Sequence, residues 1–178
     1  MFLLLVATTT TAVRLISSTG FKILPKWDLV EAAQTLPEST QRIVMNKTTE
    51  ISYTGKFVSG ERYNIKDEGV YVCSVCSLPM FCSKHKFVSG TGWPSFYDVF
   101  DHDHLQKLIS VDTPGYTEIA CARDGAHLGH AYPDKPSPAL KRSLESENIV
   151  FPPHCFVRYC VNAGALRFVP LSLVSTLR

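Results

Sequence analysis

The run CARDGAHLGH, residues 121–130, combines two kinds of chemistry. Cys121 and Asp124 stand at the spacing of a Cys-x-x-Cys half-site whose second cysteine has become an aspartate. Cys73 and Cys76, in CSVC, make an intact half-site directly before Leu78-Pro79. Structural zinc takes four ligands in a tetrahedron, so the two half-sites together offer Cys73, Cys76, Cys121 and Asp124. A carboxylate oxygen in the set lowers thiolate affinity and selectivity. The alternative is a decayed site in which the cysteines pack as small buried side chains.

His127 and His130 are each either structural or proton-carrying, and histidine is the side chain best able to supply a proton near neutrality. Their odd spacing places them on opposite faces of a regular strand, but Gly129 permits a bend that aims both inward. In FVRYCVN, Arg158, Cys160 and Asn162 alternate onto one strand face. A lone cysteine in an apolar run is ordinarily a packing residue. A cation, a thiol and an amide in a row instead favour a thiolate, and the thiolate is the nucleophile. Trp93, in SGTGWPSF, is either a buried anchor or the aromatic wall of a pocket that the glycines let the backbone approach.

These residues need strands to hold them. GVYVC, KFVSG, YTEIAC, FVRYCVN and LRFVP are short, β-branched and aromatic, and Gly, Pro and Asp separate them. Helical spacing occurs early: Leu29, Ala32, Ala33 and Leu36 recur before Pro37, and Ser39 or Thr40 then caps a second short turn through Arg42–Met45. The expected fold is mainly β, antiparallel, after a short helical region. Residues 134–157, polar and bounded by prolines, read as an unusually long surface loop carrying Cys155.

The chain of 178 residues suits one domain over 25–172 with a tail at 173–178. Its 45% hydrophobic and 19% charged composition is that of a globular protein, and a formal charge of +2 argues for neither nucleic acid nor membrane as partner. Six cysteines with pairs at metal spacing favour ligation or redox chemistry over a disulfide framework. Residues 1–24 contain Arg14 and Lys22 but no acid, and are rich in threonine. They are expected to be a mitochondrial leader, with a secretory or cytoplasmic destination as the alternative.

GVYVCSVC, KFVSGTGWPSFYDV, EIACARDGAHLGHAYPD and RYCVNAGALRF, in that order, resemble the B-type methionine sulfoxide reductases over roughly residues 36–169. The resemblance implies a fold of two small antiparallel sheets with the site between them. It implies that Cys160 is the nucleophile, Trp93 lines the methyl pocket, His127, His130 and Asn162 surround the sulfoxide oxygen, and Arg158 is the basic neighbour. It further implies oxidised proteins as substrates, thioredoxin or a similar thiol as reductant, and no organic cofactor; the chain is expected to be a monomer. Many relatives place a resolving cysteine where this chain has Thr91, so either the reductant acts on the sulfenic acid directly or another thiol resolves it, with Cys155 expected first and Cys82 after it. Zinc-binding relatives read CxxC where this chain has CARD, and others lack the metal. A zinc-ribbon binding module and a redox sensor that does not turn over are the competing functional readings.

Overall fold

The computed structural model describes residues 15–16, 22–23, 28–109, 115–146 and 155–177. A two-residue pairing of β1 (Leu15–Ile16) with β2 (Lys22–Ile23) falls in the expected leader, whose remaining residues lie outside the described ones. Two helices follow. Asp28 caps α1 (Leu29–Ala33) by accepting from the Val30 and Glu31 amides. The second helix, α2 (Glu38–Asn46), begins immediately after Pro37, so Ser39 and Thr40 lie inside it rather than capping it. Proline at the boundary fixes φ and starts the helix without a side-chain cap.

The rest is built from two antiparallel sheets, as the sequence led one to expect. The smaller contains β11 (Leu166–Pro170), β3 (Gly69–Cys73) and β4 (Pro79–Cys82), in that order. The larger runs β5 (Lys86–Phe87), β6 (Ser95–Phe96), β10 (Phe156–Val161), β9 (His127–Asp134), β8 (Thr117–Cys121), β7 (Leu105–Ile109). Aromatic side chains from both sheets meet in the core. Phe81 stacks on Phe96 at 4.3 Å, and Tyr71 lies 5.1 Å from both Phe96 and Phe168. Such contacts add directional preference to the burial that drives the sheets together.

The segment read as a long loop contains a helix, α3 (Pro138–Ser146). Its start was legible: Ser137 precedes Pro138, and the Ser137 hydroxyl accepts from the Leu140 amide. Leu140 and Leu144, one turn apart, bury themselves with Phe156 against Phe87 and Tyr97 at the β5 end of the large sheet. Among the described residues no helix is long and apolar enough to cross a membrane.

Candidate active site and metal corner

Strand β10 sorts its side chains by alternation. Tyr159 and Val161 are buried in the core, whereas Arg158 and Cys160 share the opposite, half-open face. Cys160 is flanked by Ser95 on β6 and His130 on β9, and His130 is in turn opposite Glu118 on β8. Pairing across the sheet therefore produces a row Ser95–Cys160–His130–Glu118 on one face. One step along, Arg158 pairs with Tyr132, its guanidinium 4.4 Å above the phenol ring and its Nε 2.9 Å from Asp134.

His127 joins that row because the ladder is irregular. Ile119 pairs with Gly129 and the next residue, Ala120, with His127, so β9 has one extra residue, Leu128, in a bulge. The extra residue resets the alternation and puts His127 and His130 on the same face, ring centroids 5.5 Å apart. The expected convergence is realised, by a bulge beside Gly129. Glycine itself is required by crowding: a Cβ there would stand 2.2 Å from the Cys160 carbonyl oxygen.

The electrostatics give the histidines different characters. Glu118 Oε1 accepts from His127 Nδ1 at 2.9 Å, and Glu118 Oε2 accepts from Lys47 Nζ at 2.9 Å. Burial pushes the Glu118 carboxyl up, but the hydrogen bonds from Lys47 and His127 outweigh it and hold the group below the usual carboxylate value. A carboxylate can only accept, so the His127 proton is fixed on Nδ1; the opposite nitrogen, Nε2, is buried without a hydrogen-bond partner. Burial, and then the neighbouring His127, push the His130 imidazole below its ordinary value. Burial, and then the Cys160 thiol, push the Tyr132 phenol above its usual range, so it remains a hydroxyl beside the cysteine.

Asn162 follows the strand and is buried with its amide already engaged. Its Oδ1 accepts from the Glu50 amide at 3.0 Å and its Nδ2 donates to the Leu128 carbonyl at 3.3 Å. Trp93 Nε1 donates to the Glu50 carbonyl, and the Glu50 carboxylate accepts from the Ala163 and Gly164 amides. Glu50 thus joins Asn162 to Trp93, which holds the indole two residues before Ser95. Thr91 sits in a hydroxyl cluster with Ser89 and Ser95, 2.8 Å per step. Glu50, Glu118, Tyr132 and Asp134 were not found in the sequence. Glu118 and Tyr132 could have been, by pairing the strands on paper; Glu50 carried no local signal.

The first of the expected resolving thiols, Cys155, is not brought to Cys160. Cys155 is exposed at the foot of β10, ~16 Å away along an extended strand at ~3.3 Å per residue. A disulfide needs Cα atoms within about 7 Å. Cys82 lies on the smaller sheet, half-buried, where burial pushes its thiol up.

Cys73, Cys76, Cys121 and Asp124 do converge, all buried, with their donor atoms within 4.8 Å of one another. Cys76 Sγ lies 3.6 Å from Cys121 Sγ, close to the ~3.8 Å edge expected for a tetrahedron of thiolates around zinc. Cys73 Sγ is 3.2 Å from Asp124 Oδ2, while the other aspartate oxygen accepts from the Ala126 amide. Two knuckle turns make this possible, each closed by a residue of positive φ after its second ligand: Ser77 at 63° and Gly125 at 77°. Burial, and then Cys76, push Asp124 up to about 6. Acidic donors crowded together out of water fit a cation, and this cluster can hold a metal ion.

A thiol aligned with a histidine and backed by a buried His–Glu pair defines a site for thiol redox chemistry. The model of the SelR domain matches residues 36–170. Peptide methionine sulfoxide reductase MsrB of Xylella fastidiosa (strain M23) is 36% identical over 76% of this chain and 75% of its own length. The proteins of the same name from Hahella chejuensis and Caulobacter vibrioides (strain NA1000 / CB15N) are 36% and 35% identical, over 78% and 86% of this chain and 85% and 86% of theirs. A crystal structure of the Mis18 "Yippee-like" domain is similar over 58% of this chain and 97% of that one, at TM-score 0.37 and 16% identity, too slight to carry an argument. The chain belongs to the SelR-domain family, the B-type methionine sulfoxide reductases.

Proposed function

We propose that the protein reduces methionine-R-sulfoxide in polypeptides to methionine, with Cys160 as nucleophile. The observation that carries this reading is the cross-strand neighbourhood of Cys160 and His130, with the buried, unpartnered His127 Nε2 behind it. The Cys160 thiol gives its proton to the histidine pair, and as the thiolate attacks the electrophilic sulfoxide sulfur that proton passes on to the sulfoxide oxygen. The oxygen is transferred to Cys160. Methionine leaves with its sulfur reduced by two electrons, and Cys160, oxidised by two, becomes a sulfenic acid. Trp93 supplies an apolar wall for the methyl group, which fixes the epimer.

Asn162 acts by positioning: it holds Glu50, and Glu50 holds Trp93. Arg158, ion-paired with Asp134 and stacked on Tyr132, keeps a positive charge on the thiol face. With Cys155 a strand's length from Cys160 and Cys82 on the smaller sheet, a dithiol reductant such as thioredoxin attacks the sulfenic acid directly, releasing water and then returning the thiol as the reductant forms its own disulfide. The metal corner fits zinc in a structural role: three thiolates and a carboxylate would hold it and close the site to substrate.

The test is turnover of the separate R and S epimers of a methionine sulfoxide peptide with excess dithiothreitol. The R epimer alone should turn over, and Cys160→Ser should reduce activity to background. Turnover retained in that variant would remove Cys160 as nucleophile. With thioredoxin as reductant, Cys155→Ser and Cys82→Ser should recycle as the parent protein does.

A further inference from the structure

Behind the loop that carries Trp93 lies a cavity of about 520 Å³, within the range of ~300–1,000 Å³ typical of built ligand sites. Cys160, His127 and His130 do not line it, but Gly90, Gly92, Trp93 and Pro94 do, so it shares the indole with the reaction centre. Its floor is polar and unsatisfied. Tyr71 is 0% exposed, and its hydroxyl has no hydrogen-bond partner. Lys86 Nζ donates to the Ile65 carbonyl at 2.7 Å and lies 5.6 Å and 5.4 Å from the Phe57 and Tyr71 ring centroids. No carboxylate pairs with it among the described residues. Burial brings Lys86 down to about 8, the signature of an ammonium short of solvation.

The walls say what else the cavity accepts. Leu140 and Leu144 of α3 form one side, giving the extra segment before β10 a role as a wall. Tyr53 and Val88, 53% and 84% exposed, stand at the mouth, as apolar rims that meet a chain from outside do. Lys66, Lys84 and Lys86 face a single carboxylate, Asp67, so the lining is net positive.

We propose that this cavity is a subsite for the stretch of substrate polypeptide next to the oxidised methionine, in which Lys86 and Tyr71 receive an aspartate or glutamate side chain while the α3 leucines cover apolar neighbours. The proposal rests on the peptide reductase reading and adds to it a sequence preference. An anion there supplies the hydrogen bonds that the Tyr71 hydroxyl and the Lys86 ammonium lack, and the shared Trp93 keeps the methionine within reach of Cys160.

The test uses the full chain and blocked peptides holding one methionine-R-sulfoxide, with Glu, Gln or Lys at each of the three positions on either side. At one or more positions Glu should exceed Lys in kcat/KM by about tenfold, the scale of one hydrogen bond to a charged group. That ratio should collapse toward one in Lys86→Met and fall in Tyr71→Phe, which removes only the unpartnered hydroxyl. Turnover with no preference, or a preference unchanged in both variants, would overturn the subsite and leave the reductase reading standing. No turnover of any R-sulfoxide peptide would overturn both.

Discussion

The Lys47–Glu118–His127 chain sets a proton on one nitrogen of one histidine. Glu118 touches no substrate in this scheme; it acts through His127. Replacing it with Gln keeps the shape and removes the charge, so kcat should fall about tenfold to a hundredfold while KM moves little. A mainly structural role would instead lower the melting temperature and leave the kcat of the folded fraction unchanged. The sign of the pH effect follows from the depressed carboxyl. The stability Glu118 contributes is fully present above its ordinary value of 4.5 and is lost as pH falls through its lower folded value. His130 acts in the same sense: burial and His127 disfavour its cation, so stability is lost as pH falls below its ordinary value of 6.5. Its imidazole should titrate below 6.5 when followed by NMR, which leaves it neutral at pH 7.

Strands β9 and β10 turn these residues into a site. Cys160 meets His130 by direct pairing, whereas His127 arrives through the bulge at Leu128, and Gly129 lets the β10 backbone lie against it. Gly129→Ala drives a Cβ into the Cys160 carbonyl, a backbone atom that cannot turn aside. The expected cost is about 3 kcal/mol of stability, read by urea unfolding, with activity falling further than stability because the collision is at the nucleophile. The alternation of Arg158 and Cys160 was legible from FVRYC alone, because a strand period of two needs no partner. The bulge was not, because it is defined by the count of residues on two strands at once. The α3 helix lay between: Ser137-Pro138 and the Leu140/Leu144 spacing announced it, and the surrounding prolines and charges read as loop.

At the scale of the molecule, the metal corner ties the β3–β4 turn of one sheet to the β8–β9 turn of the other. His127 follows this corner by one residue after Ala126, so loosening the corner loosens the histidine. Purified protein should contain about one zinc per chain, and a strong chelator should lower the melting temperature by about 10 °C or more. Asp124→Cys should slow metal loss to the chelator, because a fourth thiolate suits zinc better than an oxygen. A chelator-insensitive melting temperature in metal-free protein would assign the corner to packing alone.

Residue types and spacing determined the family, the β class, the strand face of Cys160 and the four donors of the metal corner. Each of these is a local pattern: a period of two, a Cys-x-x-Cys or Cys-x-x-Asp turn, a short motif in order. Only the tertiary structure decided that Asn162 spends its amide on Glu50 and Leu128, that Glu118 backs His127, that Cys155 stands a strand's length from Cys160, and that Lys86 and Tyr71 floor a cavity behind Trp93. The physical reason is the same throughout. Hydrogen-bond satisfaction, burial and distance belong to pairs of residues far apart in the chain, and no one segment holds both members of a pair.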